Sequence, residues 1–182
     1  MSIEVRDDAR LAGQVSRYHT WPHTRQQSVG EHSWQVARIL MSIAPFRWHL
    51  VKYAILHDIG ELTTGDIPYP VKRENPALQS VMDQLEADTM QSMVRDWNMQ
   101  TPVLRLEEHD KIIFKLAEFI EMWEFGWEEV LRGNRFAERV RDRCETVAVS
   151  MIREMHDGLD TSGRETADRA TDYMRKRRDL WA

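Results

Sequence analysis

Histidine and acidic residues occur at two places where the surrounding sequence is apolar and helical in its spacing. Glu31-His32 lies in the first segment, and His57-Asp58 ends the second. Burying a histidine and an acid is costly unless they are neutralised or paired. Adjacent helical residues point about 100° apart, so they do not simply pair with each other. A divalent cation bound by His32, His57 and Asp58 removes the cost and leaves positions open for water and a phosphate oxygen.

A histidine followed by an aspartate is weak evidence by itself. The chain has two further pairs, His109-Asp110 and His156-Asp157. Taken singly, such a pair is more typical of a surface or a helix cap. The pair at 57–58 differs because apolar residues run up to it and a turn with a glycine follows it, with Glu61 directly after that turn.

The elements that position these residues are predicted to be helices. Glycine and proline are few, 8 and 6, and apolar residues recur at the spacing of a helix face. The spacing predicts a helix over 29–43, with Ser28 as its N-cap and Glu31 completing a capping box. A second helix is predicted over 48–59, and its almost wholly apolar face places it at the buried centre of the fold.

The rest of the chain predicts one loop and four more helices. Gly65, Pro68, Pro70 and Pro76 predict a loop over 62–76. Helical patterns follow at 77–97, 106–123 and 136–156, with a shorter amphipathic stretch at 165–180. We therefore expect an all-α fold: a single globular domain over 1–182, a bundle of about six to eight helices.

Composition and charge exclude several classes of protein. Hydrophobic residues make up 42% and charged residues 30% of the chain, which is too apolar for disorder. A net charge of -5 argues against a nucleic-acid polymer as partner. Cys144 is the only cysteine, so an intrachain disulfide and a cysteine-based zinc site are excluded. No apolar run reaches the roughly 18 residues of a membrane span, and the charged N-terminus is unlike a signal peptide; we expect a cytoplasmic location.

Four segments in a fixed order resemble a known superfamily. They are W-P at 21–22, V-G-E-H-S at 29–33, H-D-I-G-E at 57–61 and T-G-D-I-P-Y-P-V-K at 64–72. This combination resembles the HD-domain superfamily, and within it the bacterial 5′-deoxynucleotidase branch. The resemblance covers residues 17 to about 125, with the helices of 134–182 expected to pack on this motif core. It implies a phosphohydrolase that uses a divalent metal ion (Co, Mn, Zn or Mg) on a deoxynucleotide.

The resemblance also implies roles for single residues. His32, His57 and Asp58 match the first three metal ligands, and Glu61 matches the general acid/base. The remaining matches lie at the substrate: Asp66 is a second acid, Trp21 packs on the sugar, Ile67, Pro68 and Tyr69 line the nucleoside end, and Lys72 is a phosphate-facing cation.

The fourth metal ligand departs from the family pattern. The family has an aspartate in a K-x-A-D motif, and this chain reads Lys115-Leu116-Ala117-Glu118. A glutamate is one methylene longer, so it could ligate with a shifted backbone, bind bidentately or act through water. Asp110 is the rival, two helical turns upstream and outside the motif. We expect Glu118 to be the fourth ligand.

A second departure concerns the phosphate. The deoxynucleotidases have an arginine directly before the tryptophan, and Thr20 stands there in this chain. Threonine offers no bidentate, charge-assisted hydrogen bond. Thr20 still lines the substrate site, and Arg17, Arg25, Lys72 or Lys115 could supply the charge. Release of phosphate from a monophosphate, or of triphosphate from dATP as in some phage relatives, both stay open.

Several other interpretations remain beside this one. Glu118 is the feature that favours a non-catalytic metal- or nucleotide-binding HD protein, whereas Glu61 and Asp66 speak against it. Cyclic-nucleotide hydrolysis fits the superfamily but not the T-G-D-I-P loop. Trp21 could be an ordinary core residue. The other tryptophans that we expect to pack between helices are Trp48, Trp97, Trp123 and Trp127. Relatives imply a homo-oligomer, a dimer, and a host cytoplasm if the chain is phage-encoded.

Overall fold

The computed structural model describes residues 9–96, 106–158 and 160–181, with the backbone alone for Ala9, Tyr69, Pro70, Arg73 and residues 94–96. The described residues are all-α apart from one pair of two-residue strands, as predicted. Seven helices in these ranges have six or more residues, within the expected six to eight: α2 (Val29–Ile43), α3 (Trp48–Leu56), α5 (Tyr69–Glu74), α6 (Pro76–Asp96), α7 (Glu108–Leu131), α8 (Ala137–Gly158) and α9 (Thr161–Trp181). Two single-turn helices, α1 (Ala9–Ala12) and α4 (Glu61–Thr64), and the strands β1 (Ser16–Arg17) and β2 (Gln27–Ser28) were not predicted.

The chain divides into two compact units. The first comprises residues 1–34 and 52–104, and the second comprises residues 35–51 and 105–182. Helices α2 and α3 contribute residues to both units. The prediction of one domain over 1–182 stays a prediction.

In the first unit, the strand pair leads directly into α2. β1 and β2 are antiparallel, and the Val29 amide donates to the Val15 carbonyl at 2.8 Å. The Glu31 amide donates to the Ser28 hydroxyl at 3.2 Å, so Ser28 is the predicted N-cap. The Glu31 carboxylate pairs with Arg25 at 2.7 Å. The helix therefore starts where the sequence predicts, with His32 in its first turn.

The second predicted helix ends earlier than expected, at Leu56. The His57 amide still donates to the Tyr53 carbonyl at 2.8 Å, and a turn over 57–60 then leads into α4. Leu56 and Ile59 pack with Met93 of α6 in an apolar cluster. Gly60 explains the close approach of α6, because a Cβ there would lie 2.4 Å from the Glu86 carbonyl oxygen.

The predicted loop over 62–76 is wrong in part, because α4 extends to Thr64 and α5 occupies 69–74. Pro70 is in the first turn of α5 and Pro76 is the first residue of α6. Proline is tolerated at these positions because an amide there has no partner within the helix. Within the predicted loop over 62–76, only residues 65–68 and Asn75 are non-helical, and Gly65 has a φ of 72°. The predicted end of α6 at Trp97 lies outside the described residues.

The second unit is formed mainly by α7, α8 and α9. α7 continues beyond the predicted end at Trp123 to Leu131. Gly126 lets α8 approach closely, because a Cβ there would lie 3.1 Å from the Arg141 Cα. α8 and α9 both contact α7. The packing of the helices of 134–182 on the motif core as a whole stays a prediction.

Side chains of this unit confirm one tryptophan prediction and contradict another. Trp123 is fully buried and its Nε1 donates to Glu145 at 3.0 Å. Trp48 is 61% exposed, so its predicted packing is wrong. It is the first residue of α3, and its side chain lies toward solvent at the start of that helix. Cys144 is buried, and burial raises the pKa of its thiol to about 12. None of the described helices is both long and apolar enough to cross a membrane.

Candidate active site

Three of the predicted metal ligands converge within the first unit. The Nε2 atoms of His32 and His57 lie 3.6 Å and 3.1 Å from Asp58 Oδ2. Each histidine offers a ring nitrogen within 4.8 Å of the other. Ligand atoms at about 2.1 Å from a cation lie about 3.0–3.4 Å from one another, so the 3.1 Å separation fits the edge of one coordination shell and the 3.6 Å separation is slightly longer. α2 supplies His32, and the turn after α3 supplies the other two residues.

The tautomer of His57 favours a cation at this place. Its Nδ1 lies 2.8 Å from the Ala54 carbonyl oxygen, which can only accept, so Nδ1 carries the hydrogen. When this histidine is neutral, as a metal ligand must be, its Nε2 lone pair points toward Asp58 Oδ2. Two electron-rich atoms at this separation repel each other unless a proton or a cation lies between them. A backbone carbonyl behind a histidine is the usual support of a metal ligand.

Asp58 is ionised in this environment. Burial by itself raises the pKa of Asp58, but His57, His32 and Arg17 outweigh it and hold that pKa well below its usual range. The Arg17 guanidinium donates to Asp58 Oδ2 at 3.0 Å. The site therefore provides one carboxylate and two imidazoles, the donor set of a catalytic divalent metal.

Glu61 differs from Asp58 although the two carboxyl groups are neighbours. It is the first residue of α4 and only 5% exposed. Among the described residues its Oε2 is buried without a hydrogen-bond partner. Burial, and then the charge of Asp58, raise the pKa of Glu61 to about 8 against the opposing effect of Arg17. This carboxyl group keeps its proton at neutral pH and is suited to proton transfer.

The segment that carries Trp21 is attached to the loop that carries Asp66. The Tyr18 amide donates to Asp66 Oδ2 at 3.1 Å, and the Trp21 amide donates to the Tyr18 carbonyl at 2.9 Å. Tyr18 has a φ of 58°, a conformation that is rare outside glycine and clusters at functional sites. Trp21 is 42% exposed, so the alternative of a core tryptophan is wrong. Thr20 is exposed in the same turn.

The four candidate cations each have a carboxylate partner. Arg17 contacts Asp58, Arg25 contacts Glu31, Lys72 contacts Glu86 at 3.1 Å and Lys115 contacts Glu118 at 2.9 Å. Arg17 and Lys72 belong to the unit that contains the histidine cluster, and the positive charge of each lowers the pKa of Glu61. Burial alone lowers the pKa of Lys72, but Glu86 and then Glu61 and Asp58 raise it above its ordinary value, so this ammonium is charged.

Other predicted residues stay predictions. Glu118 and Lys115 belong to the second unit, on α7. The rival Asp110 is contacted by Arg47 and by His49 Nε2 at 2.6 Å, which gives it a structural role in that unit. On the substrate loop, Ile67 and Pro68 are partly buried, and Tyr69 begins α5.

One residue of the site has no signal in the sequence. Glu86 accepts from Lys72 and from the Thr64 hydroxyl at 3.2 Å. It lies on an amphipathic helix between two other acids, Asp83 and Asp88, so the sequence gives no reason to select it from them. The sequence offers Arg17 as one of four cations for the phosphate, and its contact with Asp58 distinguishes it from Arg25 and Lys115.

Comparisons with known proteins identify what the chain is similar to. The family model of YfbR-like 5′-deoxynucleotidases matches residues 10–146. The chain is 26% identical over 162 residues to 5′-deoxynucleotidase YfbR of Salmonella arizonae, covering 78% of this chain and 80% of that protein. It is 24% identical over 160 residues to a 5′-deoxynucleotidase of Yersinia pestis, covering 78% and 81%.

A solved structure shares the fold. It is the HD phosphohydrolase DatZ of Cyanophage S-2L, bound to dA and one catalytic Zn²⁺ ion. The two chains superpose with a TM-score of 0.63 over 98% of each, at 21% sequence identity.

Proposed function

We propose that this chain, which belongs to the YfbR-like 5′-deoxynucleotidase family, is an HD-domain phosphohydrolase that cleaves the 5′-phosphoester of a deoxynucleotide and releases the deoxynucleoside. One observation of the structure carries the proposal: His32, His57 and Asp58 converge, and the Glu61 amide donates to the Asp58 carbonyl at 3.0 Å, so Glu61 lies in the same turn. The family match and the curated relatives support hydrolysis of deoxynucleotides, and the non-catalytic alternative finds no support in them.

His32, His57 and Asp58 would hold a divalent cation, and Glu118 is the proposed fourth ligand from the motif. When bound, the cation supplies charge stabilisation at the phosphoryl group and lowers the pKa of a water molecule. The two histidines fit Zn²⁺, Co²⁺ or Mn²⁺ better than Mg²⁺, which prefers an all-oxygen shell. The cyanophage relative of the same fold is recorded with Zn²⁺.

Glu61 is the proton-transfer group of the proposal. The oxygen of a water molecule forms a bond to phosphorus, the bond from phosphorus to the 5′ oxygen breaks, and the leaving oxygen takes a proton. The carboxyl group of Glu61, with its pKa at about 8, can donate that proton and recover one from the water. A cation held by the neighbouring residues would lower this pKa. Most of the acceleration comes from positioning, because no covalent intermediate is needed.

The substrate is held at two ends in this proposal. Trp21 packs on the sugar, Asp66 lies beside it, and Ile67, Pro68 and Tyr69 line the nucleoside end. Arg17 and Lys72 face the phosphate, since Thr20 brings no charge to it. Lys115 is a further candidate cation for the phosphate. A cytoplasmic location and a homodimer complete the proposal.

A deoxynucleoside monophosphate is the first candidate substrate, because the curated relatives are 5′-deoxynucleotidases. A deoxynucleoside triphosphate such as dATP is the second candidate. Thr20 favours the triphosphate, because the arginine that the monophosphate-cleaving deoxynucleotidases have at this position is missing.

A product assay tests both candidates. The protein, stripped of metal and reconstituted with Zn²⁺, Co²⁺, Mn²⁺ or Mg²⁺, is incubated with dAMP, dATP or the ribonucleotide AMP. We expect metal-dependent release of deoxyadenosine, with phosphate or triphosphate as the second product, and little reaction with AMP. His57→Ala should abolish turnover, whereas the matched His156→Ala, whose histidine pairs with Asp168 on α9, should leave it unchanged. Absence of a deoxynucleoside product from dAMP, dATP and the other common deoxynucleotides under every metal would refute the proposal.

A further inference from the structure

Glu86 joins α6 to three parts of the candidate site. Its carboxylate oxygen Oε1 accepts from the Lys72 ammonium of α5 at 3.1 Å and from the Thr64 hydroxyl of α4 at 3.2 Å. Its backbone lies against Gly60, where the turn after His57-Asp58 enters α4. All of these residues belong to the first unit.

The Lys72–Glu86 ion pair is largely withdrawn from solvent. The two side chains are 14% and 19% exposed, so water screens their attraction less than it does on an open surface. The Lys72 side chain has four rotatable bonds and would otherwise sample many positions. A carboxylate at its end selects one of them. The same Glu86 oxygen accepts from Thr64 of α4, the helix that begins at Glu61, and the Glu86 backbone lies against Gly60, so the selected position is at the turn that carries Glu61.

We propose that Glu86 is a positioning residue, which holds the Lys72 ammonium and the end of α4 so that a positive charge stands next to Glu61 where the substrate phosphate binds. The inference rests on the proposed function for the meaning of that charge. Glu86 acts through Lys72 and touches no reacting atom.

A purely structural role would give different results from a positioning role. If Glu86 served only to tie α6 to α4 through Thr64, its loss would lower the free energy of unfolding and leave the state of Lys72 in the folded enzyme unchanged. If Glu86 positions Lys72, its loss must free the Lys72 ammonium and lower the pKa of Lys72, which Glu86 raises. Phosphate binding must then weaken, and only because Lys72 has lost its position.

The first experiment reads Lys72 without any turnover. The folded protein is treated with a limiting amount of acetic anhydride at pH 8, and acetylation of Lys72 is measured by mass spectrometry relative to the exposed Lys52. Glu86→Gln keeps the size of the side chain and removes its charge. We expect it to raise the relative labelling of Lys72 about tenfold, as for loss of a charged hydrogen bond. The matched control Asp88→Asn, which removes the charge of an exposed acid on the same helix, should leave the ratio unchanged. An unchanged ratio in Glu86→Gln overturns the inference.

The second experiment is a double-mutant cycle on the loaded enzyme. We expect Glu86→Gln to lower kcat/KM for the accepted deoxynucleotide about tenfold, mainly through KM. In a Lys72→Met background the same change should have almost no effect, because the residue through which it acts is gone. Independent, multiplying effects of the two substitutions would overturn the inference.

The two experiments separate the inference from the proposed function. If the enzyme hydrolyses no deoxynucleotide, the proposed function fails, while the acetylation ratio still decides whether Glu86 holds Lys72. If turnover is present and the ratio does not change, only the inference fails.

Discussion

Glu61 and Asp58 show how two neighbouring carboxyl groups take opposite protonation states. Asp58 is surrounded by His57, His32 and Arg17, which hold its pKa low despite burial. Glu61 is buried with that negative charge beside it, and its pKa rises to about 8. One group is thus an ionised ligand and the other a proton donor, a division of roles that depends on environment because the two side chains have the same chemistry.

Glu61 should make the stability of the metal-free protein depend on pH. Its pKa is raised from 4.5 to about 8 on folding, so between these values the folded state holds a proton that the unfolded chain has lost. The associated stability is present below pH 4.5 and is lost as the pH rises to 8, at up to about 1.4 kcal/mol per pH unit. Glu61→Gln, which stays neutral, should therefore gain stability over the unsubstituted protein across this window. Urea unfolding in EDTA at pH 5, 6, 7 and 8 measures the gain.

The exposed Glu138 of α8 provides the control for this prediction. Glu138→Gln makes the same substitution on a solvated helix face, so its unfolding free energy should run parallel to that of the unsubstituted protein between pH 5 and 8. If the unfolding free energy of Glu61→Gln also runs parallel to that of the unsubstituted protein over this pH range, Glu61 is ionised in the folded state.

Arg17 should bind the substrate phosphate and not the metal. It contacts Asp58 and lowers the pKa of Glu61, and it stands four residues before Trp21, where it can replace the charge missing at Thr20. We expect Arg17→Met to lower kcat/KM for the accepted deoxynucleotide about 30- to 100-fold, the effect of losing a charge-assisted pair, mostly as an increase in KM. Arg25→Met, in which Glu31 loses its partner, should have a much smaller effect. Steady-state kinetics and the bound-metal content measure both; unchanged KM with loss of metal would assign Arg17 to the cation site.

At the scale of elements, α6 fixes the turn that carries the ligands. Gly60 faces the backbone of Glu86 with no space for a side chain, and the Thr63 and Thr89 hydroxyls lie 2.9 Å apart farther along the same contact. The turn over 57–60 is short and irregular, so its shape depends on this helix as well as on its own hydrogen bonds.

Gly60→Ala should destabilise the protein through this contact. A Cβ at 2.4 Å from a backbone oxygen forces α6 to move, and overpacking of this kind costs about 1–3 kcal/mol or more. Gly158→Ala at the end of α8, where nothing lies within 4 Å of the added Cβ, should be neutral or slightly stabilising. Chemical unfolding of both variants checks the prediction, and equal stability of the two would show that α6 does not contact the turn so closely in solution.

The elements that the sequence predicts well are those with a long apolar period and a cap. α2 starts and ends where the pattern over 29–43 indicates, because Ser28 caps it and Pro45 follows closely. The loop over 62–76 was wrong in part, because prolines read as helix breakers sit at helix starts. Strands of two residues and helices of one turn have no period to detect, so β1, β2, α1 and α4 could not be predicted.

At the scale of the whole molecule, cation binding should contribute strongly to stability. A ligand that binds only the folded state adds about 4 kcal/mol at a thousand times its Kd, which for a chain of this length raises Tm by about 10 °C. We expect that increase when Zn²⁺ or Mn²⁺ is added to the stripped protein, and none in Asp58→Asn. Differential scanning calorimetry measures it; an equal increase in Asp58→Asn would place the cation elsewhere.

The candidate site could be predicted only as far as local motifs reach. His32, His57, Asp58 and Glu61 lie in two short segments whose neighbours signal a buried helix and a turn. Glu86 could not be found, because its pairing with Lys72 depends on how α6 folds back on α5. Choosing Arg17 over Arg25 likewise required the contact with Asp58, which separates them only in three dimensions.

The thiol of Cys144 can serve as a probe of local unfolding around α8, because it is buried and is the single cysteine of the chain. A sulfur enclosed in α8, with a pKa of about 12, reacts with an alkylating reagent only during excursions that bring it to water. With excess iodoacetamide, the mass gained per hour therefore measures how often the region around α8 opens. No engineered label is needed, since the chain offers the reagent a single cysteine.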